Sequence, residues 1–176
     1  MRILHLTAAL SLSLASLTVA PQASAEPVVT SGKLGLQASQ PLGRTNVKWL
    51  MFDIYTAELW TDRRQPFAWN RPFALSLTYK RDFDADDLAR ASVEEIARIE
   101  GSAPAGLESR LRSCFADVNP GDRITGVATG SDKALFFVNG RQSCAVSYPQ
   151  FTKRFFGIWL GPNTRDPGAT RRLLGS

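Results

Sequence analysis

Chemistry in this chain would have to come from carboxylates, tyrosines, lysines and arginines, because its one histidine, His5, lies in what reads as an export leader. Without an imidazole in the mature chain, neither a Ser-His-Asp nor a Cys-His nucleophile can be assembled. Two cysteines, Cys114 and Cys144, and no histidine cannot close a zinc site of the usual kind, so no metal is expected. The cradles for phosphate and dinucleotide, G-x-x-x-x-G-K-S/T and G-x-G-x-x-G, are absent, and no cofactor is expected. Two sets of acids remain. Asp84, Asp86 and Asp87 cluster where a helix would begin, and the helix dipole accounts for negative charge there. Asp53 is harder to place. It lies between Met51 and Tyr55 in VKWLMFDIYTAELW, residues 47–60, and an acid in so apolar a run must be paired, or lie near a polar edge, to stay ionised.

The leader covers residues 1–25: Arg2, an apolar run from Ile3 to Ala20, and the small-residue cleavage pattern Ala23-Ser24-Ala25. A single domain, 26–176, is expected to follow, in the periplasm or secreted; an uncleaved anchor is the alternative. No later run is long enough to cross a bilayer, so no membrane span is expected once the leader is removed. Loss of Arg2 leaves 20 basic against 16 acidic residues, a net +4. The basic residues alternate with acids and form no stripe that would track a phosphate backbone, so no nucleic-acid partner is expected. In an oxidising compartment an even cysteine count reads as a disulfide, Cys114 with Cys144, two buried thiols being the alternative.

The elements that must position these groups follow from period. Segment 47–60 reads as one long central strand, apolar on both faces, with Asp53 and Tyr55 on the same one. Residues 73–81 alternate as a half-buried strand, and Pro66 and Pro72 rule out a helix between the two. Asp84 has the position of an N-cap for a helix with Leu88, Ala89, Val93 and Ile96 inward and the pairs Asp86/Arg90 and Glu94/Arg98 outward. Ser102 can cap a second helix, with Pro104 in its first turn and Leu107, Leu111, Cys114, Phe115 and Val118 on its inner face. Strands are expected at 123–129, 133–138 and 142–148, with turns at Gly130-Ser131 and Asn139-Gly140. Pro149 opens a helix with Phe151, Phe155 and Trp159 in an inward stripe and Lys153 and Arg154 facing away, and a short last helix follows Asp166-Pro167. The class is α+β, a mainly antiparallel sheet with helices gathered on one face.

Four pieces in order, WLMFDIYTAELW, FALSLTYKRDF, FADVNPGDRITG and FTKRFFGIWLGPNTRD with a closing LLG, resemble the bacterial chalcone-isomerase-like proteins over residues 42–175. The resemblance implies an open-faced β-sandwich with a cleft between a large sheet and a helical layer. In plant chalcone isomerases that cleft holds a flavonoid by an arginine before the long strand, a threonine within it, and a tyrosine and asparagine on the next helical segment. Here the threonine position falls at or near Leu50, the helix after Asp84 contains neither tyrosine nor asparagine, and Arg44 or Lys48 stands for the arginine. The resemblance therefore leans away from an enzyme. Fatty-acid-binding members imply another use, in which a cation, Arg44 or Lys48, and tyrosines, Tyr55 and Tyr79, hold a small apolar or amphipathic ligand. An intramolecular lyase or isomerase, and a structural module without a pocket, are the alternatives.

Overall fold

In the computed structural model, which describes residues 36–38 and 40–176, the apolar run 47–60 is divided between two strands. Strand β1 (Gly43–Trp49) and strand β2 (Phe52–Thr61) are antiparallel, and Trp49 pairs with Phe52 across a two-residue turn of Leu50 and Met51. The expected single strand is thus a hairpin. Apolar turn residues hide the reversal from any reading of periodicity, because the usual Gly, Asn or Asp punctuation is missing. The leader expected at 1–25 lies outside the described residues.

Strands β3 (Phe73–Tyr79), β4 (Arg123–Ala128), β5 (Lys133–Val138) and β6 (Arg141–Ser147) complete a six-stranded antiparallel sheet in chain order. Helices α1 (Ala85–Glu100) and α2 (Leu107–Arg112) are inserted between β3 and β4, and α3 (Phe151–Leu160) and α4 (Pro167–Leu173) follow β6. This is the expected α+β open-faced β-sandwich. Register puts Leu59, Leu75 and Gly126 side by side on the helix-covered face, where they join a core with Ile96, Leu107, Leu111, Phe136, Phe151 and Phe156. Gly126 leaves room for the Phe156 ring, since a Cβ there would lie 2.9 Å from Phe156 Cε1. α4 is tied to β1 by Arg172 Nε, which donates to Thr45 Oγ1 at 2.9 Å.

The other face is not bare. Leu36, Ala38, Trp60, Ala74, Val127 and Phe137 form a second cluster on it, and the Ser76 and Thr125 hydroxyls share a buried hydrogen bond of 2.9 Å. β3 is accordingly covered on both faces rather than half-buried, because its outward residues are small and are overlapped by the larger side chains around them.

Three further expectations are corrected. α2 is only six residues long and starts after Gly106, whose φ of 73° is the left-handed turn conformation that glycine tolerates. The ion pairs of α1 are Arg90 with Asp87 and Arg98 with Glu95, at i,i+3, while Asp86 pairs with Arg112 beyond the helix. Both spacings are in reach on a helix, and tertiary partners select between them. Arg154 likewise does not face away: it is half-buried and pairs with Glu100, joining α3 to α1. Cys114, just past α2, is disulfide-bonded to Cys144 of β6, with Cα atoms 5.1 Å apart.

Candidate functional site

Where β2 and β3 meet α1 and α3, a seam of apolar side chains is left half-buried: Tyr55, Phe83, Leu88 and Trp159 all pack on the core without being enclosed by it. Tyr55 and Tyr79 are direct cross-strand partners, so their rings meet edge-on with centroids 5.8 Å apart. Phe83, four residues after Tyr79, brings its ring to 6.0 Å from that of Tyr79. The i,i+4 stripe of α3 sets Trp159 against Phe155 at 5.5 Å, and its indole N–H donates to the Tyr55 hydroxyl at 2.8 Å. The Tyr79 hydroxyl makes no hydrogen bond among the described residues.

Burial pushes the Tyr55 phenol up to about 12; the hydrogen bond from Trp159 offsets part of this, and the charge of Glu95 adds to it. Burial raises Tyr79 as well, with a further contribution from Tyr55. At neutral pH both are therefore uncharged hydroxyls that can donate a hydrogen bond and cannot act as bases. Glu95, whose charge acts on Tyr55, is also occupied. Burial works to raise its carboxyl, but hydrogen bonds from Arg98 Nη2 at 2.6 Å and Arg165 Nε at 2.7 Å, with their charges, outweigh burial and hold it below the usual range. The seam can thus offer neutral donors within an apolar surround, and Glu95, the acid whose charge Tyr55 feels, is already paired.

Of the four residues expected to hold a ligand, the structure brings together Tyr55 and Tyr79 and sets Arg44 and Lys48 apart from them. Arg44 lies on the opposite face of the sheet, 3.7 Å from Glu58. Lys48 lies 3.8 Å from Asp53. The reason is a shift of register: Val47 pairs with Tyr55 but Lys48 pairs with Asp53, so Ile54 is skipped as a bulge. The bulge turns Asp53 away from the face it would share with Tyr55 by simple alternation. Asp53 then lies between Lys48 and Lys80, the latter 3.7 Å away, and Lys80 also reaches Asn46 Oδ1 at 3.4 Å. Asp53 is an ion-paired acid on a polar part of the sheet, which accounts for its place in an apolar run.

Sequence reasoning assigned Trp159 to the core stripe and missed its second role. The signal was present in the residue type, since an indole N–H that is largely buried requires an acceptor. Two surface recesses lie elsewhere, one of about 430 Å³ beside Trp69, Asp132 and Lys153, the other of about 180 Å³ beside Asp62 and Arg71. Neither includes a residue of the seam.

A family model described as chalcone isomerase-like matches residues 44–175. An uncharacterized protein of Haemophilus influenzae is 27% identical over 139 residues, covering 77% of this chain and 68% of that one. Among solved structures, a fatty-acid binding protein of Arabidopsis thaliana superposes with a TM-score of 0.58 at 11% identity, over 77% of this chain and 86% of that one. At that identity the likeness is one of fold.

Proposed function

The chain belongs to the chalcone isomerase-like family, and from that premise we propose that it is an exported, non-catalytic binding protein for a small apolar or amphipathic molecule, with a long-chain fatty acid as the model ligand. The observation that carries this reading is the pair of neutral hydroxyls, Tyr55 at the half-buried apolar seam and Tyr79 buried directly behind it. Such hydroxyls suit a carboxyl or carbonyl oxygen, and the apolar seam suits a chain. The plant fatty-acid binding protein of the same fold lends the ligand class. Export is supported by the leader-like residues 1–25 and by the disulfide. Because Trp159 covers Tyr55, entry of a ligand would displace the indole and change its fluorescence.

Calorimetric titration of oleate into wild type, Tyr55→Phe, Tyr79→Phe, Arg44→Ala and Lys48→Ala tests the reading. Each phenylalanine variant is expected to bind about five- to tenfold more weakly, the worth of one hydrogen bond, and the two cation variants to bind as wild type. Loss of affinity in Arg44→Ala or Lys48→Ala alone would move the carboxylate to the opposite face. No binding by wild type would leave a structural module, and ring closure of a chalcone above the spontaneous rate would reinstate an isomerase.

A further inference from the structure

We propose that the β1–β2 hairpin is a docking element that inserts its tip into the surface of an anionic phospholipid bilayer. Leu50, Met51 and Phe52 are 83%, 90% and 53% exposed, three consecutive large apolar side chains in water. Isolated exposed apolar residues are ordinary, but a contiguous projecting group is a mark of interaction. The turn chemistry agrees. Leu50 holds a φ of 54°, a conformation suited to glycine or asparagine, so neither local backbone preference nor core packing explains a leucine there.

The groups behind the tip name the partner. Lys48, Lys80 and Arg81 stand one step further from the end of the hairpin, with Lys48 61% and Lys80 36% exposed. The Arg81 guanidinium lies over the Phe52 ring, 4.3 Å from its centroid. Facing these cations are Asp53, between the two lysines, and Asp82, next after Arg81. Three cations against two acids leave a modest positive excess on a chain that is basic as a whole. The layering is that of a membrane interface: apolar side chains outermost, to enter the acyl boundary, and long cationic side chains behind them, at the depth of the phosphates. The tip is also convex. A deformable bilayer can surround it on every side, whereas a protein partner would need a matching hole.

The seam of Tyr55 and Tyr79 lies toward the same end of the sheet, since Tyr55 is three residues along β2 from Phe52. Docking would bring that seam to a lipid surface, but the docking itself does not depend on the ligand reading.

Flotation of the purified protein with vesicles of phosphatidylcholine, with and without phosphatidylglycerol and free of added fatty acid, tests the proposal separately from the oleate titration. Wild type is expected to float with the phosphatidylglycerol vesicles. The double variant Leu50→Asn/Met51→Asn, whose asparagine suits the backbone at position 50, should keep its thermal midpoint and lose at least about tenfold in partition. Lys80→Gln/Arg81→Gln should lose several-fold, on the anionic vesicles alone, and salt should weaken wild type in the same way. The proposal is overturned if wild type does not bind these vesicles, or if the double asparagine variant binds as wild type. It is equally overturned if, without vesicle binding, wild type forms a dimer in sedimentation that the asparagine variant lacks, which would give the tip to a second copy of the chain.

Discussion

Trp159 of α3 donates its indole N–H to the hydroxyl of Tyr55 on β2, 2.8 Å away and 104 residues earlier in the chain. This bond fastens α3 to the sheet beside the seam. Trp159→Phe and Tyr55→Phe should each lower the unfolding free energy by about 1 kcal/mol, the net worth of a hydrogen bond between neutral groups. A double-mutant cycle in urea should recover most of that as coupling. Coupling near zero would mean that the contact contributes nothing to holding α3.

Alkali should unfold the protein before it ionises these phenols. Tyr55 titrates near 12 in the fold and Tyr79 is raised in the same direction, whereas an unfolded tyrosine titrates near its ordinary value of 10.0. Their folded pKa lies above the unfolded one, so the contribution to stability is complete below about pH 10 and is lost as pH rises through about 12. Phenolate absorbance followed alongside circular dichroism should show at least two tyrosines ionising together with loss of structure. Two phenols titrating within a persisting fold would contradict the packing described.

Acid acts through a different group. Glu95 has its carboxyl held low by Arg98 and Arg165 against the opposing effect of burial, so its stabilisation is present above the ordinary carboxylate range and is lost as pH falls through the folded value. Glu95→Gln should cost about 2 kcal/mol at neutral pH, since charge-assisted hydrogen bonds are replaced by neutral ones. The deficit should shrink in acid, where wild type loses the same charge. A variant equally deficient at both pH values would point to packing rather than charge.

Removal of the disulfide tests the cross-link between α2 and the sheet edge. Cys114 and Cys144 are 30 residues apart, and a loop of that size is worth about 3 to 4 kcal/mol in the chain-entropy model. Cys114→Ser/Cys144→Ser should shift the denaturant midpoint by the corresponding amount, and reductant should shift wild type but not the variant. Two thiols open to alkylation in folded, oxidised protein would remove the bond from the account.

What the sequence determined by itself is whatever a few neighbouring residues decide. The Asn139-Gly140 turn takes positive φ at both positions, 47° and 81°, as that dipeptide favours. Asp166 caps α4 by accepting from the Ala169 amide at 2.9 Å, and the spacing of Phe151, Phe155 and Trp159 made α3 legible as a helix with an aromatic face. The order of strands and helices, and hence the α+β class, followed from such local signals. So did the pairing of Cys114 with Cys144, once the compartment was read as oxidising. The tertiary structure decided what residues far apart must settle together. Nothing local marks the reversal at Leu50-Met51 or the bulge at Ile54, yet these set Lys48 and Arg44 on one face and Tyr55 on the other. Glu95 rather than Glu94 became the partner of Arg98, and Arg165, 70 residues on, reaches the same carboxylate. The candidate site was half legible for the same reason: Tyr55 and Tyr79 were named from the family resemblance, but their meeting depends on strand register, and the Trp159 partner of Tyr55 on the docking of α3. Register and docking are fixed by total burial and by satisfaction of every polar group, quantities that no short window of sequence contains.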